Sequence, residues 1–464
     1  SPDATGGIYL VRLRNAAGVT VLKPLVVGEL PQLMEKEPND KPADAQSLTE
    51  SSTVNGKLGK GGDVDQYSIQ LKKADRLIVA VQANQVLGAP MDAILQVTDA
   101  KGFILAQNDD GRLLDPMVIF TAPSAGTYTV RVFAFPLTPN STIGFAGADN
   151  FVYRLTMTTG PFLDHAFPDL ESEGQSSLVH FGGWNFPAAD PPIALNDVSV
   201  LDPASPDQLL VTRPQSENFV VLPKVSAAAL LADESSSPKQ PQDIPIPVLI
   251  AGKIEAPRDQ DVFRFKATKG TAILFDVISR TQGYAMDPFL QVRDAMGKVL
   301  GEVDDTNKKR DCHFAFVPPA DGVYDLLVRD LHHHGGERYV YQVYARAREV
   351  DFQLKLAAGT YVVKSKETLE IPLEVNRLHG FAEEVTVTVE GLPKGFTAAA
   401  VKSLPKGDSA KKVKLVIKGE GETFSGAIRI VGTLADGKQN RLAHYLVPNL
   451  NWKRTDPWLT VIPE

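Results

Sequence analysis

The sequence predicts an all-β protein made of several sandwich domains in series. Three observations carry that prediction. Apolar residues alternate in short runs, Gly- and Pro-rich turns recur about every 8–12 residues, and a long block of sequence returns later in the chain. The runs "DQYSIQL", "RLIVAVQA", "TYTVRVFAF", "DVFRFKA", "AILFDVIS", "LEIPLEV" and "EVTVTVEGL" have the two-residue period and residue types of strands. The best short helical candidates are 41–48 and 225–232.

The bulk numbers agree. A chain of 464 residues holds several domains, and 43% apolar residues can fill their cores. The formal charge of −8 argues against nucleic acid, whose phosphates need a basic face. There is no run of 18 apolar residues, so no transmembrane segment is expected. Cys312 is the only cysteine, which excludes an intramolecular disulfide and a thiolate zinc cluster.

Taken in order, residues 1–32 read as the closing strands of an immunoglobulin-like domain whose earlier strands lie outside this sequence, with a turn at 16–18. Next comes the first repeat, copy A, over 33–160. Its block "VNGKLGKGGDVDQYSIQL" (54–71) returns as "IAGKIEAPRDQDVFRFKA" (250–267). "APMDAILQVTDAKGFILAQNDD" (89–110) returns as "YAMDPFLQVRDAMGKVLGEVDD" (284–305), and "DPMVIFTAPSAGTYTV" (115–130) as "DCHFAFVPPADGVYDL" (311–326). "FVYRL" (151–155) answers "YVYQV" (339–343). Copy B therefore covers 231–350. A small β-domain is expected over 161–230, and about seven strands over 351–464 predict an immunoglobulin-like sandwich.

"EKEPND" (35–40) is the densest group of oxygen donors. Pro38 biases Glu37 toward an extended backbone, and alternate residues of an extended chain share a face. Glu35, Glu37 and Asn39 should then point one way, with Asp40 just beyond. Crowded carboxylates repel and call for a cation or full solvation. Calcium takes 6–8 oxygen ligands, whereas zinc prefers His or Cys. "GGDVDQY" (61–67) offers Asp63 and Asp65 at the mouth of the next strand. A solvated acidic turn is the competing reading.

"EKEPND", "NGKL", "GDVDQYSI" and "DPMVIFTAPSAGTYTVRV" together resemble the bacterial pre-peptidase C-terminal (PPC) domain. That family is a β-sandwich of jelly-roll-like character, related to the collagen-binding modules of clostridial collagenases. The resemblance implies tandem β-sandwiches, PPC-like and immunoglobulin-like. It implies a Ca2+ site of Glu35, Glu37, Asn39, Asp63 and Asp65, with Asp40 as a neighbour. Copy B keeps Asp233, Glu234, Asp259 and Asp261, with Ser236 and Ser237 near the places of Asn39 and Asp40. Calcium is expected to be weak or absent there.

Other candidates favour plain readings. Asp109, Asp110 and Asp115 lack the EF-hand pattern and read as turn caps. His332, His333 and His334 lie outside any HExxH motif and read as a hairpin tip. "GDS" at 407–409 lacks the context of a serine nucleophile, and no G-x-S-x-G occurs. The lysines at 394–418 read as a solvated face, and Trp184, Trp452 and Trp458 as core residues. The expectation is a non-catalytic secreted or cell-surface array of calcium-stiffened modules, whose partners are an extracellular polymer or further copies of itself. The alternatives are the accessory region of a secreted peptidase or hydrolase, and a collagen- or glycan-binding module.

Overall fold

Copy A packs two five-stranded sheets face to face. One sheet runs, in spatial order, Ile104–Asn108, Met91–Thr98, Gly126–Pro136, Asp65–Leu71 and Gln46–Leu48. The other runs Met117–Thr121, Arg76–Gln82, Val152–Thr158, Ser52–Lys57 and Gln32–Met34. The computed structural model describes every residue except 1–3, 5, 16, 139–143, 170–176, 188–190, 201–203, 226, 307–309 and 451.

Copy B repeats this topology strand for strand. Its sheets run Val299–Val303, Pro288–Asp294, Gly322–Asp330, Asp261–Ala267, Gln242–Asp243, and His313–Phe316, Ile273–Ile278, Val340–Ala347, Val248–Lys253, Ala228–Leu231. Even a register slip recurs at equivalent places, Val97/Thr98 and Val292/Arg293. Sequence similarity therefore reflects one fold used twice. The alternation sets the cores: Tyr67, Ile69 and Leu71 point inward from one strand, while Ser68 and Gln70 face outward.

In each copy the first two strands are parallel edge strands, one on each sheet. Gln32–Met34 pairs with Ser52–Lys57, and Gln46–Leu48 with Asp65–Leu71. The segment between them must cross from one sheet to the other at the end of the sandwich. That crossing is where "EKEPND" lies. The helical candidates resolve accordingly. Within 41–48 only Pro42–Asp44 forms a short 3-10 turn. Within 225–232 the chain is a strand, Ala228–Leu231, because pairing with Val248–Lys253 outweighs the helix propensity of Ala and Leu.

Two glycines fix the packing under the crossing. A Cβ on Gly56 would meet the Tyr153 ring at 2.5 Å, and one on Gly252 would meet the Tyr341 hydroxyl at 2.6 Å. Both tyrosines are fully buried. Gly56→Ala is therefore expected to destabilise copy A by roughly 1–3 kcal/mol, the usual cost of overpacking. A urea midpoint within error of wild type would contradict this.

The chain divides into two compact units, 1–8 with 26–200 and 210–347, and 9–25 with 201–209 and 348–464. In the second unit a sandwich is built on Asp351–Leu356, Thr368–Leu378, Lys412–Gly419 and Phe396–Ala398 facing Val401–Ser403, Val385–Glu390, Arg429–Leu434 and Asn440–Leu442. Residues 9–25 pack on this sandwich. Leu22 enters its core, and Arg12 donates to Thr360 Oγ1 at 2.8 Å and to the Tyr445 hydroxyl at 2.9 Å. The hairpin expected near 16–18 is present, with Asn15 opposite Gly18. Lysines on the sandwich face are offset by acids: Lys414 meets Glu370 at 2.8 Å and Lys402 meets Glu384 at 2.7 Å.

Candidate metal centre

Strand Gln32–Met34 ends before Glu35, and the crossing bends through a cis Glu37–Pro38 peptide bond. The donors meet along this bend, not along an extended strand as alternation alone suggests. The Glu35 amide donates to the Asn55 carbonyl at 3.0 Å, which anchors the first donor to the sheet. Its Oε2 accepts the Lys57 amide at 2.9 Å, leaving Oε1 turned inward toward the Tyr153 hydroxyl at 3.3 Å. Glu37 Oε2 accepts the Asn39 amide at 3.0 Å. Asp65 opens its strand, is fully buried, and accepts the Tyr153 hydroxyl at 2.5 Å.

Carboxylate oxygens of Glu35, Glu37 and Asp65 all lie within 4.8 Å of one another. Asn39 is fully buried among them, with its side-chain oxygen 3.0 Å from Asp65 Oδ1 and 3.2 Å from Glu37 Oε2. Oxygens this close need a positive charge between them, or the amide turned over so that its nitrogen donates. Asp63 is 1% exposed, and its Oδ1 has no hydrogen-bond partner while Oδ2 accepts the Gly59 amide at 2.5 Å. Asp40 sits at the margin, with Oδ2 3.5 Å from Lys60 Nζ.

Burial pushes the carboxyls of Glu37 and Asp63 up, and drives that of Asp65 to about 9. Asp40 is held low, first by its carboxyl contact with Asp63. Desolvated acids with raised affinity for protons mark a place that favours added positive charge. Nearby lysines do not supply it within the cluster, because Lys57 reaches out to Asp149 at 2.9 Å and Lys60 to Asp40. Glu35, Glu37, Asn39, Asp63 and Asp65 are all hard oxygen donors, the set that suits calcium. Tyr153 and Tyr67, joined hydroxyl to hydroxyl at 2.6 Å beneath the cluster, are absent from the sequence reading. The retained tyrosine of "FVYRL" and "YVYQV" is the signal that could have found Tyr153.

Copy B shows what changed. Ala232 donates to the Ala251 carbonyl as Glu35 donates to that of Asn55, so Ala232 stands where Glu35 does. Asp233 takes the place of Lys36: its amide meets Gln242 as that of Lys36 meets Gln46. The carboxylate of Asp233 turns to Ser235, so it is not a retained donor as the sequence suggests. Glu234, Asp259 and Asp261 remain, and Tyr341 donates to Asp261 as Tyr153 does to Asp65. Burial raises both Glu234 and Asp261 to about 7.

A carboxyl with a raised folded-state pKa adds stability that is complete below its unfolded value near 4 and lost as pH rises through about 7. Unfolding measured in chelator between pH 4 and 8 should show this loss, and Asp261→Asn should flatten its share. An unchanged slope in Asp261→Asn would contradict the assignment.

The remaining candidates are structural. Asp115 accepts the amides of Ala83, Asn84 and Gln85 at 2.7–3.2 Å, and Asp311 does the same for Ser279, Arg280 and Thr281. His332 and His334 each stand 3.9 Å from an aspartate, Asp287 and Asp330, and Glu337 turns instead to Trp184 Nε1 at 2.7 Å. Cys312 is buried, its thiol pushed up by desolvation.

Parts of the chain are similar to known proteins. A probable subtilase-type serine protease of Deinococcus radiodurans is 36% identical over 101 residues, which is 21% of this chain and 14% of that protein. The chain thus spans a small part of that relative's length. Among solved structures, the pre-peptidase C-terminal domain of a Bacillus anthracis collagenase is matched over 27% of this chain and 100% of that one, at 16% identity and a TM-score of 0.20. The fibronectin(III)-like modules of Clostridium thermocellum CbhA are matched over 50% of this chain and 93% of that one, at 10% identity and a TM-score of 0.15. Residues 63–134, which lie within copy A, match the family model of the bacterial pre-peptidase C-terminal domain.

Proposed function

We propose that this chain is a non-catalytic, extracellular array of β-modules in which copy A binds one calcium ion. The observation that carries the reading is the meeting of Glu35, Glu37 and Asp65 oxygens within 4.8 Å around a buried Asn39. The ion would tie the crossing segment 35–40 to the strand that begins at Asp65, stiffening the entry to the sandwich. Millimolar calcium outside cells suits a modular site of this kind. Copy B, with alanine in place of Glu35, binds calcium weakly or not at all. The partner of the array is an extracellular polymer, protein or glycan, or another copy of the chain. Binding to collagen and glycan arrays tests the polymer.

A second reading is favoured by the protease relative: the modules are the accessory region of a secreted peptidase and help to fold or target it. A catalytic domain in the same reading frame would decide for it.

Thermal unfolding with calcium and with chelator, on wild type and Glu37→Ala, tests the site. Calcium should raise the wild-type midpoint and leave that of Glu37→Ala nearly unmoved. No calcium-dependent shift, or an equal shift in both proteins, would sink the site.

A further inference from the structure

Strand Phe162–Asp169 pairs with Leu178–Trp184, and together they lie against both sandwiches of the first unit. Phe162 and Trp184 bury themselves on Ile78, Ala80 and Met117, the outer face of a copy A sheet. The same strand packs beside Ala228–Leu231 and Val248–Lys253 of copy B. Asp164 lies in its middle and is 2% exposed.

Three side chains converge on that carboxylate. Arg112, from the loop after the Ile104–Asn108 strand of copy A, donates to Oδ1 at 2.6 Å. Arg338, from copy B, donates to the same oxygen from Nε at 3.1 Å. His165 Nδ1 stands 3.2 Å from Oδ2. Arg338 also reaches across both copies, donating to the Gly111 carbonyl of copy A and, at 2.6 Å, to the Gly283 carbonyl of copy B. Burial pushes the Asp164 carboxyl up, but the guanidinium groups, Arg338 foremost, outweigh it and hold the acid well below its usual range.

The backbones also touch. Gly283 has a φ of +84°, and a Cβ there would stand 3.1 Å from Arg112 Cα. Glycine is needed both for the turn and for the approach. Trp184 adds a bond from the strand pair to copy B, through Nε1 to Glu337.

We infer that copies A and B and the strand pair between them form one preset rigid body, locked by the buried Asp164–Arg112–Arg338 node, rather than two sandwiches on a flexible link. Because the ions are buried and bonded to backbone as well as to one another, salt screens them little. The lock draws its positive charge from Arg112 and Arg338 and needs no metal ion, so it is separate from the calcium site: the spacing of A and B is fixed whether or not the ion is bound.

The test places spin labels at equivalent exposed hairpins, Lys101→Cys in copy A and Met296→Cys in copy B, in the full chain. Cys312 is buried, so the introduced thiols take the labels. Wild type should give one narrow distance distribution, unchanged between low and high salt and between calcium and chelator. Asp164→Asn should broaden it. Gly283→Val, which pushes the loops apart without touching a charge, should broaden or shift it. A broad wild-type distribution would overturn the inference even where a variant fails to fold. A narrow distribution kept in both variants would overturn the role of the node.

Discussion

Replacing Asp164 by asparagine is expected to cost the first compact unit about 3–5 kcal/mol of unfolding free energy, the usual penalty for breaking a buried ion pair on one side. The size follows from what is left behind. Asparagine keeps the shape but removes the charge, so Arg112 and Arg338 remain buried side by side without their anion. Arg338 is most affected, since its side chain is 14% exposed against 23% for Arg112. Replacing all three with apolar residues of similar volume should cost far less, because no orphaned charge survives. The pH sign is opposite to that of the acids in copies A and B. A carboxyl depressed in the folded state adds stability above its unfolded value near 4, and loses it as pH falls below. Urea unfolding of wild type, Asp164→Asn and the triple apolar variant measures all of this. A cost below about 1 kcal/mol for Asp164→Asn would mean that water reaches the node.

The second large effect is that of the ion. An ion bound only by the folded state stabilises by RT ln(1 + [L]/Kd), about 2.7 kcal/mol at one hundred times Kd. Copy A should gain this much in saturating calcium, and its pH dependence should invert. In chelator, Asp65, raised to about 9, must ionise in a buried site, so its contribution is complete near pH 4 and lost as pH rises through about 9. With calcium the ionised form is the one required, so stabilisation by the ion grows over the same range. Unfolding at pH 5 and pH 8, with and without calcium, separates the two signs. An ion effect that is larger at pH 5 than at pH 8 would contradict carboxylate ligation.

The repeat is legible in sequence because strand alternation, turn glycines and the Asp and Tyr positions travel together between copies. Gly252 and Tyr341 recur with Gly56 and Tyr153 because each pair is one packing contact. Most donors of the copy A cluster are legible for the same reason, since "EKEPND" lies between the two parallel edge strands, one on each sheet, and "GDVD" opens the strand that the second of them pairs with. The match of Ala232 with Glu35 follows from setting Ser236 and Ser237 against Asn39 and Asp40, but the turn of the Asp233 carboxylate toward Ser235 is not legible, because it depends on the local bend of the chain. Nor is the node. Asp164 sits in "FLDHAF" as a lone acid in an apolar run, and its partners lie 52 and 174 residues away in segments that read as turns. Alternation reports which face a residue takes, and it carries nothing about a distant cation that meets it.

The central claim is that the acidic crossing of copy A is an ion site and its counterpart in copy B is not. Calorimetric titration of the chelator-stripped chain with calcium at pH 7.5, in wild type and Asp65→Asn, tests it directly. One ion per chain is expected, with a Kd of about 10⁻⁴–10⁻³ M as in other extracellular modules, and that binding should vanish in Asp65→Asn. No binding in millimolar calcium, or two ions of equal affinity, would contradict it.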